Sequence, residues 1–220
     1  MIVTIDGPAG AGKSSAARAL AQLLNFEFLD TGSMYRAVAL AALRAGVDPR
    51  DEPALSVLVA GLRLEMPSGG RVLLDGEDAT AAIRTREVTA ATGAVADSPS
   101  VRCRLARMQR TIAEGRNVVC EGRDQGTIVF PDAGCKFFLF ADPSERARRR
   151  HREMASRGES VSWETILRDQ QVRDERDAAR DLAPMKPAED ALLLDSTGLS
   201  PEEVVEAMAA RVRQRMGGSC

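Results

Sequence analysis

The sequence predicts an α/β fold, in which helices cover both faces of a parallel β-sheet. Three observations support this prediction. Short apolar runs of strand length alternate along the chain with segments whose apolar residues recur at helical spacing. A glycine-rich segment links the first apolar run to the first helical segment. The chain has 220 residues, which is enough for one sizeable domain carrying a small insert.

The N-terminal part alternates strand and helix. The run IVTID (residues 2–6) is too short for a helix and is predicted to be a strand. Ala and Leu recur at helical spacing over residues 13–24, and FEFLD (residues 26–30) indicates a second strand. A helix over residues 33–45 follows, and Gly46 closes it.

The middle of the chain has a different pattern. LRLEM, SGG and RVLLDG together indicate a β-hairpin, and two helical stretches follow it, near residues 85–96 and 99–113. We therefore predict a small α+β insert over residues 62–97. Beyond it, three apolar runs indicate strands at residues 117–122, 136–141 and 191–196, with helical stretches at 144–156 and 201–216.

Composition narrows the class of protein. The hydrophobic share is 44%, the charged share is 28% and the net charge is −2, as in an ordinary globular protein with no general affinity for nucleic acid or membranes. No apolar run reaches the ~20 residues that cross a bilayer. The four Cys form no CxxC pair and His151 is the only His, so neither a zinc site nor a Ser-His-Asp triad is supported. The strand-like start does not resemble a signal peptide, and we expect a cytoplasmic protein with reduced thiols.

The strongest motif is GPAGAGKSS, because it fits GxxxxGK[ST] and lies between a predicted strand and a predicted helix. Glycines let successive backbone N–H groups surround phosphate oxygens, and the helix N-terminus adds partial positive charge. We expect Lys13 to reach the β- and γ-phosphates of ATP and the Ser14 hydroxyl to bind Mg²⁺. The predicted ATP-binding residues are Gly7, Pro8, Ala9, Gly10, Ala11, Gly12, Lys13, Ser14 and Ser15.

Other segments select among proteins that carry this motif. A guanine-reading NKxD sequence is absent, which argues against a switch GTPase, and no strand ends in the Asp-Glu pair of motor ATPases. Instead, arginines occur with carboxylates in what we take to be loops after strands. Bidentate arginines suit two phosphorylated substrates whose charges repel, and a phosphate acceptor needs no strong base. These residues are Arg36, Arg123 with Asp124, and Arg173, Arg176 and Arg180 with Asp177.

Five segments spread over the whole chain resemble the signature segments of bacterial cytidylate kinases, which are P-loop nucleoside monophosphate kinases. The resemblance implies phosphoryl transfer from ATP to CMP or dCMP, with Mg²⁺ as cofactor, and a monomer, since small kinases of this kind are usually monomeric. It also implies a five-stranded parallel sheet in the order 2-3-1-4-5, a monophosphate-binding insert at residues 62–97 and a short lid at residues 148–162. The segments are LDTGSMYR (29–36), IRTREV (83–88), EGRDQGTIVFPDA (121–133), VRDERDAAR (172–180) and LLDSTGLS (193–200).

The same resemblance assigns roles to individual residues. Arg36, Arg123 and Arg180 match arginines that hold the monophosphate, while Arg173 and Asp177 match residues that meet the sugar and phosphate region. The CMP-binding residues so implied are Thr31, Arg36, Arg102, Arg123, Asp124, Arg173, Asp177 and Arg180. The catalytic residues so implied are Lys13, Arg123, Arg173 and Arg180.

Base reading is assigned to Arg102 and Asp124. Cytosine has an amine donor beside two acceptors, so a carboxylate suits its amine and an arginine suits its acceptors. Uracil would instead turn a carbonyl toward the carboxylate. The chain departs from the family at Gly93, where many members have a serine. Either Thr92 or Thr89 takes that role, or base discrimination is looser.

Other interpretations stay open from the residues alone. Asp30 and Thr31 also suit a strand end and a helix N-cap. The basic run at residues 146–152 is either the solvated face of a helix or part of a lid over ATP. Two other classes of protein compete with the resemblance: a shikimate, dephospho-coenzyme-A or uridylate-cytidylate kinase, and a non-catalytic nucleotide-binding regulator. The GRD segment and the insert disfavour the first class, and the intact Lys13 and Ser14 disfavour the second.

Overall fold

The computed structural model describes residues 1–156 and 158–217. The strands are β1 (Ile2–Asp6), β2 (Glu27–Asp30), β3 (Leu64–Glu65), β4 (Leu73–Leu74), β5 (Glu77–Asp78), β6 (Val118–Glu121), β7 (Cys135–Phe140) and β8 (Leu192–Asp195). The α-helices are α1 (Lys13–Leu24), α2 (Thr31–Arg44), α3 (Glu52–Gly61), α4 (Arg86–Asp97), α5 (Pro99–Ala113), α6 (Pro143–Ser156), α7 (Trp163–Ala178) and α8 (Pro201–Gly217).

The predicted α/β class is confirmed. A five-stranded sheet has the order β2-β6-β1-β7-β8, and a separate three-stranded sheet has the order β3-β4-β5. Strand β1 pairs in parallel with β6 and β7, and β7 pairs in parallel with β8. Counted among its own five strands, the larger sheet has the order 2-3-1-4-5, as the resemblance implies.

The chain divides into two compact units. The first contains Met1–Phe26 and the described residues from Arg116 onward, and the second contains Glu27–Gly115. In the first unit, Val3, Val119 and Phe137 are almost fully buried, as expected for strands in the middle of a parallel sheet. Helices α1 and α8 pack against each other, and α8 also packs on β7.

The second unit combines helices with the small antiparallel sheet. Residues Asp75 and Gly76, both with positive φ, make the tight turn between β4 and β5. Helices α2, α3, α4 and α5 each begin at a side chain that accepts a hydrogen bond from the first turn. The predicted insert at residues 62–97 lies wholly within this unit. Its extent as a separate functional insert stays a prediction.

Three elements were not predicted. Helix α3 was missed, the short strand β5 extends the predicted hairpin to three strands, and α7 occupies a segment taken for loop. The predicted lid at residues 148–162 consists of the end of α6 and the connection to α7. Arg157 within it lies outside the described residues. Among the described helices, none is long and apolar enough to cross a membrane.

Candidate active site

The glycine-rich segment forms the connection from β1 to α1, as the motif predicts. Gly7 has φ 139°, and a Cβ there would lie 2.0 Å from the Leu139 carbonyl oxygen, so only glycine fits. Gly12 precedes α1 with φ 90°, and no side chain of the described residues caps this helix N-terminus. The first-turn N–H groups of α1 are therefore not used by a capping side chain, which is the arrangement that binds phosphate.

Lys13 is buried beside this loop. Its Nζ donates to the Pro8 carbonyl at 2.7 Å. Burial, together with the neighbouring cations Arg123 and Arg173, lowers the pKa of Lys13 from 10.5 to about 7, against the opposing effect of Glu121 and Asp6. Burial and two neighbouring cations thus disfavour the charged form of Lys13, and an anionic ligand beside it would reverse that effect.

Ser14 meets a carboxylate that the sequence analysis did not select. Its Oγ donates to Glu121 Oε1 at 2.7 Å, and Glu121 is buried at the end of β6. The hydroxyl and the carboxylate are hard oxygen ligands of the kind that Mg²⁺ prefers. In the part of the chain that the structure describes, no cluster of three or more His, Cys, Asp or Glu could hold a metal ion. This donor set fits Mg²⁺, which keeps several waters and is bound by few protein groups beside substrate phosphates.

Asp6 fixes the loop after β6. Its two carboxylate oxygens accept from the backbone N–H groups of Gln125 at 2.9 Å and Gly126 at 2.7 Å. Burial raises the pKa of Asp6 from 3.8 to about 6, although both amides act in the opposite direction. Because this loop begins with Arg123 and Asp124, Asp6 helps to set the position of both predicted site residues.

Three predicted arginines meet at Asp177. Its Oδ2 lies 2.9 Å from Arg123 Nε, and its Oδ1 lies 2.7 Å from Arg180 Nη2. Arg173 Nε is 4.0 Å from Oδ2. The Asp177 side chain is only 5% exposed, whereas that of Arg173 is 48% exposed. The structure therefore brings together, in one cluster, the predicted catalytic arginines of the first unit.

The charge state of this cluster follows from its burial and its ion pairs. Burial by itself would raise the pKa of Asp177, but Arg123, Arg180 and Arg173 outweigh it and hold the pKa below 3.8. The ionised carboxylate fixes one edge of the Arg123 and Arg180 guanidinium groups. A planar guanidinium held in this way has a defined direction for its other N–H groups, which suits bidentate binding of phosphate.

The prediction that these arginines lie in loops after strands was correct only for Arg123. Arg36 belongs to α2, and Arg173, Arg176 and Asp177 belong to α7. Helix α7 has few apolar residues and buries polar groups, including Asp177, so its sequence lacks a regular apolar stripe. Pattern reading therefore missed it.

The second unit contains the other predicted CMP-binding residues. Thr31 is buried at the start of α2, where Asp30 acts as the N-cap and accepts from Ser33 N at 2.9 Å. Arg36 Nη1 donates to Thr89 Oγ1 at 2.7 Å. Asp30 is thus both the end of β2 and the N-cap of α2, while Thr31 is the first residue of the helix, and Arg36 is held by a hydroxyl of α4.

Arg102 is held from two sides. Its Nη1 donates to the Ala96 carbonyl at 2.9 Å, and its guanidinium carbon lies 5.8 Å from the centre of the Tyr35 ring. Asp124, its predicted partner in base reading, is buried and belongs to the first unit. The pairing of the two in base recognition stays a prediction.

The two threonines near Gly93 are already engaged. Thr92 Oγ1 donates to the Val88 carbonyl at 2.6 Å, and Thr89 Oγ1 donates to the Thr85 carbonyl at 2.8 Å while accepting from Arg36. Thr92 would have to give up a helix-internal hydrogen bond in order to donate to a base. The structure thus links Thr89 to the predicted monophosphate arginine.

The basic run at residues 146–152 divides into buried and exposed members. Arg146 is buried, and Arg149 Nη2 donates to the Ser196 carbonyl at 2.6 Å. The remaining arginines lie on the exposed face of α6, where they pair with Glu145 or Glu153. They are Arg148, Arg150 and Arg152.

Sequence reasoning missed four polar residues at this site, namely Asp6, Glu121, Asp174 and Ser196, and it considered Arg146 only as part of the basic run at residues 146–152. Ser196 Oγ, for example, donates to the Ala11 carbonyl of the glycine-rich loop at 3.2 Å. Acidic residues at the ends of apolar runs were the available signal for Asp6 and Glu121. For Ser196, the LLDSTGLS segment was recognised without a role for its serine.

Comparisons with known proteins agree with these features. A family model described as "Cytidylate kinase" matches residues 3–214. A cytidylate kinase from Pelotomaculum thermopropionicum is 49% identical over 96% of this chain and 95% of its own length. One from Rhodopirellula baltica is 48% identical over 97% of this chain and 93% of its own. A solved structure of an uncharacterized protein from Eubacterium ventriosum has a TM-score of 0.50 and 11% identity over 99% of both chains, a likeness in fold alone.

Proposed function

This chain belongs to the cytidylate kinase family, and we propose on that basis that it transfers the γ-phosphoryl group of ATP to CMP or dCMP, giving ADP and CDP or dCDP. The observation that carries the proposal is the pairing of two features in the first unit. One is a phosphate-binding loop with a buried lysine, and the other is a cluster of arginines oriented by Asp177.

On the donor side, we propose that the loop from Gly7 to Ser15 binds the phosphates of ATP. The uncapped N-terminus of α1 supplies N–H donors and the positive end of the helix dipole. Lys13 would leave the Pro8 carbonyl and place its ammonium on the migrating phosphoryl group. Anionic phosphates raise the pKa of Lys13, so the bound lysine carries the charge that the transition state requires.

We propose that Ser14 binds the Mg²⁺ that accompanies ATP, with Glu121 as its supporting carboxylate. The ion supplies neutralisation of the phosphate charge. The Ser14 hydroxyl proton is directed to Glu121, and this leaves the lone pairs of Oγ available as a metal ligand. Glu121 therefore orients the hydroxyl and adds negative charge beside the cation.

On the acceptor side, we propose that Arg123, Arg173 and Arg180 bind the phosphate of CMP. By its match to the family, Arg36 is a further proposed phosphate-binding residue. Their cations bind the acceptor phosphate and stabilise the charge that develops during transfer. No side chain needs to remove a proton, because the phosphate oxygen of CMP is already ionised near neutral pH.

We propose that Asp124 accepts from the cytosine amine and that Arg102 donates to the acceptors of the base. The burial of Asp124 supports this role, because a buried carboxylate strongly prefers a hydrogen-bond donor over a carbonyl. Thr31 is a further proposed CMP contact. The monomeric state, the cytoplasmic location and the lid at residues 148–162 stay predictions.

A turnover panel tests the proposed function. ATP with Mg²⁺ is supplied with CMP, dCMP, UMP, AMP, GMP or shikimate in turn, and ADP release is followed by a coupled assay. We expect CMP and dCMP to give the highest kcat/KM, with shikimate inactive. Preferred phosphorylation of shikimate or of a purine nucleotide would overturn the proposed acceptor. Nucleotide binding without turnover of any acceptor would favour a regulator.

A further inference from the structure

A charge pair that has no role in the mechanism above holds the middle of the phosphate-binding loop. Both backbone polar atoms of Ala9 bind side chains from α6 and α7. The Ala9 N–H donates to Asp174 Oδ1 at 3.1 Å, and the Ala9 carbonyl accepts from Arg146 Nη1 at 2.8 Å. The same Nη1 lies 2.5 Å from Asp174 Oδ2, so the three residues form a closed ring of contacts.

This pair is shielded from solvent. The side chain of Arg146 is 6% exposed and that of Asp174 is 16% exposed. Arg146 Nε also donates to the Ala141 carbonyl, just beyond the end of β7, at 3.1 Å. Burial of two charges is costly, and it is tolerated where hydrogen bonds define a unique geometry for both. Here the hydrogen bonds of Arg146 and Asp174 extend to the backbone of Ala9, so they fix the geometry of the phosphate-binding loop.

A second contact brings the same two helices against the next loop residue. A Cβ built at Gly10 would lie 2.7 Å from Gln170 Nε2 and 3.3 Å from Arg146 Cβ. Gln170 and Asp174 are four residues apart on α7 and so lie on one face of that helix. Ala9 and Gly10 are therefore fixed by α6 and α7 through both hydrogen bonds and close packing.

Helix α7 also carries the centre of the arginine cluster. Asp177 follows Asp174 by three residues on the same helix and holds Arg123 and Arg180. One rigid helix thus contacts the proposed donor-binding loop and the proposed acceptor-binding arginines. Preorganised donors contribute more to transfer than donors that must be ordered by the substrate, because the ordering cost is then met by folding.

We propose that Arg146 and Asp174 are positioning residues of the phosphoryl transfer, which fix the Ala9 peptide so that the loop is preformed for the phosphates of ATP. The proposal deepens the kinase function proposed above and rests on it. A purely structural role would change stability alone. A positioning role changes the affinity for ATP and the rate of transfer in protein that is still folded.

The test compares four variants with wild type and with a matched control. The variants are Asp174→Ala, Asp174→Asn, Arg146→Ala and the double variant Asp174→Ala with Arg146→Ala. The control is Asp169→Ala, which removes an exposed carboxylate from the same helix. Calorimetric titration gives the Kd for MgATP without acceptor, steady-state kinetics gives kcat and both KM values, and thermal melts report folding.

We expect Asp174→Ala and Arg146→Ala to raise the Kd for MgATP about tenfold or more and to lower kcat, because each loses a charge-assisted hydrogen bond to the loop. The KM for CMP should change by less than about twofold. Asp174→Asn keeps an oxygen for the Ala9 N–H and should recover part of the affinity. The double variant should have a Kd for MgATP and a kcat close to those of the more impaired single variant, because the two residues act as a unit.

Unchanged Kd and kcat in folded Asp174→Ala would overturn the proposal. It would also be overturned if the loss of MgATP affinity in the double variant equalled the product of the losses in the two single variants. If Asp174→Ala does not fold, Asp174→Asn is the deciding variant. The proposal is then overturned if Asp174→Asn binds MgATP as tightly as Asp169→Ala does while Arg146→Ala has lost its affinity for MgATP, because the two residues would not act together. The kinase proposal fails separately, if wild type binds MgATP but phosphorylates no cytidine nucleotide. The Kd comparison still decides the role of the pair in that case.

Discussion

The N-terminus of α1 differs from the helix N-termini of the second unit. Asp30, Asp51, Thr85 and Ser98 each accept a hydrogen bond from the first turn of the helix that follows. Helix α1 follows Gly12, and among the described residues no side chain caps it. The N–H groups of a helix N-terminus are thus bound by a capping side chain in the second unit, whereas those of α1 are left available to a ligand.

This difference separates stability from function. A side-chain cap contributes about 0.5–2 kcal/mol to stability, so the second unit gains this amount at several helices. The first unit gives up that contribution at α1 and also buries the ammonium of Lys13, which opposes folding. Local costs of this kind concentrate where a protein binds a charged substrate.

The largest expected effect comes from removing the buried charge at α1. In Lys13→Met, kcat should fall about 10²-fold or more, because the variant lacks the cation that stabilises the migrating phosphoryl group. Steady-state turnover of ATP with CMP measures it. A near-normal kcat in folded protein would show that α1 is no more catalytic than the capped helices.

The same variant also tests the cost of burying the Lys13 charge, through the pH dependence of the free energy of unfolding. The pKa of Lys13 is about 7 in the folded protein, whereas its ordinary value, which applies in the unfolded chain, is 10.5. Between these values the unfolded chain holds the proton and the folded chain does not, so stability rises with pH across this window. Below pH 7 both states are protonated, and the full cost of burying the charge is present.

Lys13→Met lacks that cost. Its advantage in free energy of unfolding over wild type should therefore be largest below about pH 7 and shrink as the pH approaches 10.5. Urea unfolding of both proteins at pH 6.5 and pH 9 checks this. An advantage that grows with pH would contradict the lowered pKa.

The next effect concerns base choice in the proposed site. Asp124→Ala should shrink the ratio of kcat/KM for CMP over UMP by about ten- to a hundredfold, because it removes both the acceptor for the cytosine amine and the repulsion of the uracil carbonyl. Asp124→Asn keeps the shape but offers an N–H to uracil, so it should shift the ratio further. Equal losses on both nucleotides would instead make Asp124 a positioning group for Arg123.

The smallest effect should come from a capped helix. Asp51 Oδ1 accepts from Ala54 N at 3.0 Å at the start of α3. Asp51→Ala should lower the free energy of unfolding by about 1 kcal/mol and leave kcat unchanged. Asp51→Asn retains the acceptor oxygen and serves as the control, with stability close to wild type. A loss of kcat in Asp51→Ala alone would mean that the capped helices share in catalysis.

The sequence predicted most of the fold because its signals are local. The glycine-rich turn, the strands β1, β6 and β7 and the helices α5 and α8 each have a clear apolar pattern or turn residue of their own. The resemblance named Arg123, Arg173, Asp177 and Arg180 as site residues, and the structure places them in one cluster. Helix α7, which holds Arg173 and Asp177 of that cluster, has no apolar stripe, and the periodicity of the sequence did not predict it.

Only the tertiary structure decided the contacts between residues that are far apart in the chain. Ser14 and Glu121 are separated by 107 positions, and Ala9 and Asp174 by 165. The sequence determined which chemical groups the chain carries and where the phosphate-binding turn lies, because those properties belong to single residues and short segments. Which carboxylate meets which hydroxyl, amide or guanidinium depends on how the strands and helices pack, and no local pattern records that.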